Sequence, residues 1–353
     1  MWYQMKIIKN LLIFTLISFQ LNAQSSFKSS SILAEGQVFK FSISESGVYK
    51  LTKSVLDRAG VPTNVNPLNI KVYTFPGGHL EERIIPTSIV NDLYEIPVEV
   101  IGGSDGRFDA NDEIYFYAEG PSVWRYDSIA QTWSFNNNIY DTKAYIYVKV
   151  DQTPSKKIIE SPGNITPEIT SNRYELKQNF EVDKLNILTL NINTQGSGQQ
   201  WFGDNFKALE NQAIPSIDLT KYLPNENITV QALFATRSAT SSTVELSIGS
   251  ERFSRNTSGV FLNSIETNFA SLASFDLQTR PTTLSQAIRI ALRNTSSTAD
   301  AWVDYVRTIG YTQSNYNGEQ LFVSDRSLIN KSAKISFQSG TFDIKAWHIH
   351  NFQ

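Results

Sequence analysis

Few side chains in this 353-residue chain suit chemistry, and their spacing limits which reactions are open. There is no cysteine, and the three histidines are His79, His348 and His350. A thiolate nucleophile is therefore absent, and no Cys–His dyad can form within these residues. His348 and His350 stand two apart, on one face of an extended segment, but no third ligand accompanies them as a metal site requires. Asp105, Asp109, Asp112 and Glu113 make an acidic stretch that invites a calcium reading. Set on the calcium-binding loop pattern, however, Ile101 and Gly103 fall at the first two ligand positions and offer no side-chain oxygen. Carboxylates of this kind bind nearby amides in turns, so a hairpin turn is the preferred reading and no metal is expected.

Trp201 and Phe202 follow a flexible Gly196-Ser-Gly-Gln-Gln200 run. Their rings would offer flat apolar faces to a sugar or peptide; the competing reading is an aromatic pair that closes the end of a β domain, since large rings mostly bury. Carboxylate pairs of the glycoside-hydrolysis type are defined by distance in space, which the sequence does not display. The chain has no GxxxxGK[ST], no GxGxxG after a strand, no HExxH and no GxSxG. No catalytic residue and no cofactor are expected from it.

The N-terminus carries an export pattern. Lys6 and Lys9 precede the apolar run Leu11–Phe19, and Leu21-Asn-Ala23 ends on a small residue before Gln24. Residues 1–23 are read as a signal peptide cleaved after Ala23; the run is shorter than the roughly 20 residues that span a bilayer. Loss of the two lysines takes the net charge from −3 to −5. An exported chain without cysteine has no disulfide staple and depends on its own cores. Mild acidity without a Lys/Arg run excludes a nucleic-acid partner, which needs a clustered basic face. No transmembrane segment is expected in the mature chain.

The elements that would position these residues alternate with period two. Tyr94, Ile96, Val98 and Val100 alternate with Glu95, Pro97 and Glu99. Ile146, Val148 and Val150 do so with Tyr145, Tyr147 and Lys149, as do Ile288, Ile290 and Leu292 with Arg289, Ala291 and Arg293. The fold class is therefore mainly β, with one or two short helices. One helix is expected at Thr52–Ala59, capped by Thr52 and ended by Gly60, and a second helical signal lies at Phe206–Asn211. Composition places a β domain at 24–150, a Pro-rich linker at 151–172 and a second, sandwich or jelly-roll-like β domain at 173–313. The second domain's strands are expected near 186–193, 229–235, 243–248, 287–293 and 301–311. Further strands are expected near 320–324 and 333–337, in a final stretch 314–353 that reads as a lead-in to another domain.

Several short pieces then occur in a telling order. They are Ser46-Gly-Val-Tyr-Lys-Leu51, Tyr73-Thr-Phe-Pro-Gly-Gly78, Ser104–Trp124 with its Gly106-Arg-Phe-Asp109 turn and Gly120-Pro121, Asn138-Ile-Tyr-Asp-Thr142, Gly198-Gln-Gln-Trp-Phe-Gly203 and Asp304-Tyr305. The series resembles the N-terminal region of the PorU family, cell-surface sortases of the type IX secretion system related to gingipain-type cysteine peptidases. The resemblance covers most of residues 36–311. It implies a non-catalytic front part whose peptidase domain would follow residue 353. It also implies a cell-surface, outer-membrane location, an outer-membrane barrel as partner, and secreted cargo. The family removes the C-terminal signal of that cargo and joins the cargo to anionic lipopolysaccharide. Trp347-His-Ile-His-Asn351 departs from the Trp-Asp-Val-Thr-like run typical of the family. The reading from another class is a secreted carbohydrate-binding or adhesion protein of two β domains.

Overall fold

Alternating apolar residues need a second surface to cover them, and each half of the chain provides one from its own strands. The computed structural model describes residues 28–80, 91–160, 166–187, 200–208, 210–263, 267–338 and 344–349. The expected signal segment with its expected cleavage after Ala23, His350 and most of the strand expected at 186–193 lie outside them. The chain divides into two units: the described residues up to Trp124 with Asn136–Ile159, and Arg125–Phe135 with Glu160–His348. Among the described residues no helix is long and apolar enough to cross a membrane.

In the first unit the strands are β1 (Val38–Ile43), β2 (Gly47–Thr52), β3 (Ile70–Thr74), β4 (Tyr94–Ile96), β5 (Val98–Ile101), β6 (Glu113–Ala118) and β9 (Ala144–Val150). Between β6 and β9, β7 (Val123–Asp127) and β8 (Thr132–Asn136) form a hairpin. The order β1-β9-β3-β4 makes one antiparallel sheet and β2-β6-β5 another. Ile70, Val72, Ile146 and Val148 of the first sheet bury with Leu51, Ile114 and Phe116 of the second in a single core. Pro97 separates β4 from β5, and the chain changes sheets there because proline has no N–H for the ladder.

The one α-helix among the described residues, α1 (Lys53–Ala59), has its expected limits. Thr52 accepts from the Val55 amide, and Gly60 ends the helix at φ 76°. Its apolar stripe is narrower than the sequence suggests: Leu56 alone is buried and Ala59 is exposed.

Composition alone marks 151–172 as a connection. Its first part is instead bound into the first unit: the Asp151 amide donates to the Asn69 carbonyl at 2.9 Å, and Ser155 to Leu68 at 2.7 Å. Lys156 and Lys157 lie alongside β5, with Val98 donating to Lys156 and Ile158 donating back to Val98.

The second unit contains β10 (Ile169–Ser171), β11 (Arg173–Glu181), β12 (Asn205–Lys207), β13 (Asn211–Ile214), β14 (Ile228–Arg237), β15 (Ser242–Ile248) and β16 (Glu251–Thr257). It continues with β17 (Ser271–Thr279), β18 (Ile288–Arg293), β19 (Asp300–Gln313) and β20 (Ala333–Ile335). The sheets β11-β19-β14-β17 and β13-β18-β15-β16 sandwich a core that includes Val230, Phe234, Leu246, Phe275, Ile290 and Val306. The helical signal at Phe206–Asn211 is overridden: Phe206 lies in β12 opposite Ala301, where its ring joins the core, and Asn211 opens β13. β20 accounts for part of the strand expected at 333–337, whereas 320–324 forms no strand.

Candidate functional site

The longest strand among the described residues, β19, carries the candidate site, and its own sequence explains how. In β19, Ala301 and Val303 point into the core, and so does Val306. Val303 and Val306 are three apart, which an uninterrupted period of two does not allow. The chain resolves the conflict with a bulge. Leu233 of β14 faces Tyr305 while Phe234 faces Val303, leaving Asp304 without a partner in that register. The neighbour on the other edge changes at the same point. β11 pairs β19 up to Glu181 opposite Tyr305, β12 resumes with Asn205 opposite Trp302, and between them the Gly203 amide donates to the Val303 carbonyl at 2.8 Å.

Asp304 thus sits where β12 takes over from β11 as the neighbour of β19, and it is only 6% exposed. Gln200 Nε2 donates to its Oδ2 at 2.9 Å. Carboxylate oxygens of Glu181, Asp183 and Asp304 all lie within 4.8 Å of one another, the one such acidic group among the described residues. Burial pushes the Asp304 carboxyl up to about 7, against the Gln200 hydrogen bond; Glu181 and Asp183 add to the rise and Arg307 opposes it. Arg307 braces Glu181 from the other side, with Nη2 2.9 Å from Oε2, and its Nε donates to Asn179 Oδ1 at 3.0 Å. The Arg307 guanidinium lies 3.9 Å over the Tyr305 ring and 5.5 Å from that of Phe135. Two chemistries are open to such a group: coordinating a hard cation through three carboxylates, or holding a proton on Asp304 at neutral pH.

A second polar cluster occupies the other end of the same β11 face. Glu175 is 1% exposed. Its Oε2 accepts from Trp133 Nε1 at 3.0 Å and from the Arg326 amide at 3.1 Å, and its Oε1 lies 2.6 Å from Arg326 Nε. Two residues on, Lys177 donates to Ser324 Oγ and lies 4.0 Å over the Trp133 ring. Desolvation depresses its ammonium to about 8, although Glu175 opposes the shift. This cluster fastens the Arg125–Phe135 hairpin and the 324–328 segment to β11.

The residues singled out from sequence fare differently. Asp112 is buried and holds its own loop: Oδ1 accepts from the Gly103 amide at 3.0 Å and Oδ2 from the Asp109 amide at 2.8 Å. Asp105 accepts from the Arg107 amide at 3.0 Å. Gly102 has φ +83°, and a Cβ there would stand 1.8 Å from Asp112 Oδ1. Phe108, from the same loop, enters the first core. Trp201 is 37% exposed, but Phe202 is not a surface ring. The backbone of Phe202 pairs with Leu185, and its ring packs with Ala235, Ala270 and Trp302, so Trp201 alone could present a face to a ligand. His79 Nδ1 lies 3.1 Å from the Asn137 carbonyl oxygen, and His348 is exposed. Glu181, Asp183 and Arg307 were not among the candidates. Local sequence marks this site by the break in alternation at Asp304 and by the pieces that contain Gln200 and Asp304.

Two of the ordered pieces, those ending in Gly77-Gly78 and containing Gly120, are places of close approach. A Cβ on Gly120 would meet the Glu45 carbonyl carbon at 2.6 Å and the Ser46 nitrogen at 2.7 Å; the Gly120 amide donates to Ser46 Oγ at 2.9 Å. The Gly77 amide donates to Glu119 Oε2 at 2.8 Å, and Asn138 Oδ1 accepts from the amides of Tyr140 and Asp141. In the second unit Gln200 and Asp304, from the last two pieces, are hydrogen-bonded to each other.

No protein-family model and no curated protein matches the chain. Among solved structures it is similar to dimeric latent PorU from Porphyromonas gingivalis, with a TM-score of 0.62 and 17% identity over 87% of this chain. This chain spans 27% of the length of that one. At that identity the likeness is one of fold. Alignments to the VP2 subviral particle of infectious bursal disease virus (12% identity, TM-score 0.19, 80% and 74% of the two chains) and to the CBM22 tandem of Paenibacillus barcinonensis Xyn10C (11%, 0.22, 80% of each) have scores too low to mark a common fold.

Proposed function

We propose that this chain is a non-catalytic β part of a PorU-like cell-surface sortase of the type IX secretion system. In this reading the protein to which it belongs removes the C-terminal signal of secreted cargo and joins the cargo to anionic lipopolysaccharide. The observation that carries the proposal is the fold likeness to PorU over 87% of the chain. Two features agree with it. The chain has no cysteine and so cannot supply a thiolate itself. Among the pieces of sequence that resemble the family, Gly120 falls at a backbone contact with Glu45 and Ser46 that allows little substitution. The role of the two β units is then to position a peptidase, its cargo or an outer-membrane barrel at the cell surface.

The test is genetic and biochemical. In a bacterium with type IX secretion, deleting the codons for residues 24–353 in frame should leave cargo unprocessed, still carrying its C-terminal signal in the envelope. Purified 24–353 should neither cleave peptide substrates nor react with thiol-directed inhibitors. Normal cargo maturation in the deletion strain refutes the proposal.

A further inference from the structure

The outward face of the β13-β18-β15-β16 sheet carries charge and hydroxyl groups but no aromatic ring. Period two sends Val244, Leu246 and Ile248 of β15 and Ile288, Ile290 and Leu292 of β18 into the core, so the residues between them face away from it. Register then brings Arg252 of β16, Ser247 of β15 and Arg289 of β18 into one line across three strands. With neighbouring strands about 4.8 Å apart, the two arginine Cα atoms stand about 10 Å apart with the serine between them. Both arginines are exposed, and neither side chain makes a hydrogen bond or ion pair with any described residue. The third arginine of the face, Arg293, is held by Glu245 at 2.8 Å. Glu245 is the one carboxylate at the outward positions of these four strands, so the face is net positive on a chain of net charge −3.

The chemistry of this face selects among anionic partners. It has no ring on which a nucleobase could stack, and no large apolar side chain to anchor a protein interface or enter a bilayer. A row of small polar groups, Thr243, Ser254 and Asn256, lies beside the arginines, and Thr243 already bonds Asn256 at 2.8 Å. Guanidinium forks bind carboxylate or sulfate through paired hydrogen bonds, while serine, threonine and asparagine exchange hydrogen bonds with hydroxyls. The separation of the two arginines is close to the length of a disaccharide.

We propose that this face binds an acidic polysaccharide, with Arg252 and Arg289 each taking an anionic group one disaccharide apart. The inference stands on the second unit alone and does not depend on the sortase reading. Affinity electrophoresis of the purified chain tests it, using hyaluronate, which has one carboxylate per disaccharide. Hyaluronate should retard the chain and uncharged dextran should not. The double variant R252Q/R289Q should bind at least tenfold more weakly, and Ser247→Glu, which places a negative charge between the arginines, should also lose binding. Arg58→Gln removes one positive charge from the first unit and should leave binding unchanged. Matching unfolding midpoints would establish that the variants fold. Absence of binding to hyaluronate overturns the proposal. So does equal weakening by Arg58→Gln, or equal or tighter binding to polyphosphate or to anionic phospholipid vesicles.

Discussion

Replacing Asp304 with asparagine should make the second unit more stable at pH 8 and leave it nearly unchanged at pH 4. Asp304 is 6% exposed, and burial lifts its carboxyl from the ordinary 3.8 to about 7. Between those two values the folded chain keeps a proton that the unfolded chain releases. Stability therefore falls as pH rises through that window, and the loss is complete above pH 7. At about 1.4 kcal/mol per pH unit the ceiling is about 4 kcal/mol. The residual exposure of Asp304 lowers this, and about 2–4 kcal/mol is the working range. Asparagine is neutral throughout, nearly the same shape, and can still accept from Gln200 Nε2. The assay is urea unfolding of chain and variant at pH 4.5, 6 and 8, followed by tryptophan fluorescence. Titration of groups distant from Asp304 cancels in the difference between the two curves, which leaves Asp304 and its neighbours Glu181 and Asp183. A difference that does not change from pH 4.5 to 8, or a variant less stable at pH 8, would refute the assignment of a buried, proton-holding carboxyl to Asp304.

Three further outcomes are expected. Asp112→Ala should cost the first unit about 3 kcal/mol in urea unfolding, because the Gly103 and Asp109 amides lose a charged acceptor, and calcium should not shift the melting temperature of the parent chain. Lys177 is depressed from 10.5 to about 8, so the folded state binds fewer protons between those values and stability should climb as pH rises from 8 to 10.5. Lys177→Met should flatten that rise and add up to about 2 kcal/mol at pH 7, the gain being reduced by the lost contact with Trp133. Gly120→Ala should destabilise the first unit by about 3 kcal/mol, since the new methyl would meet the backbone of Glu45 and Ser46, which cannot rotate away; an unchanged urea midpoint would contradict the packing described.

Much of the scaffold was legible in the sequence, because local rules fix it. Alternation identified the strands that became β4, β5, β9 and β18, strands were also expected where β14, β15 and β19 lie, and Thr52 and Gly60 marked the ends of α1, since a cap and a left-handed residue act within one turn. The bulge in β19 was also written locally, as the three-residue step from Val303 to Val306. What gathers at that bulge was not. Glu181, Asp183 and Gln200 reach Asp304 only because β11 and β12 succeed one another along a single strand, pairings between distant parts of the chain that no local preference encodes. Tertiary structure likewise separated Trp201 from Phe202, which are adjacent in sequence yet respectively exposed and buried. It also bound Lys156–Lys157 to β5, where composition suggested an open connection. Side-chain period and turn chemistry are local properties, and the sequence alone determined them. Burial, and with it the raised carboxyl of Asp304 and the depressed ammonium of Lys177, depends on which distant strand excludes water, and only the folded structure decided that.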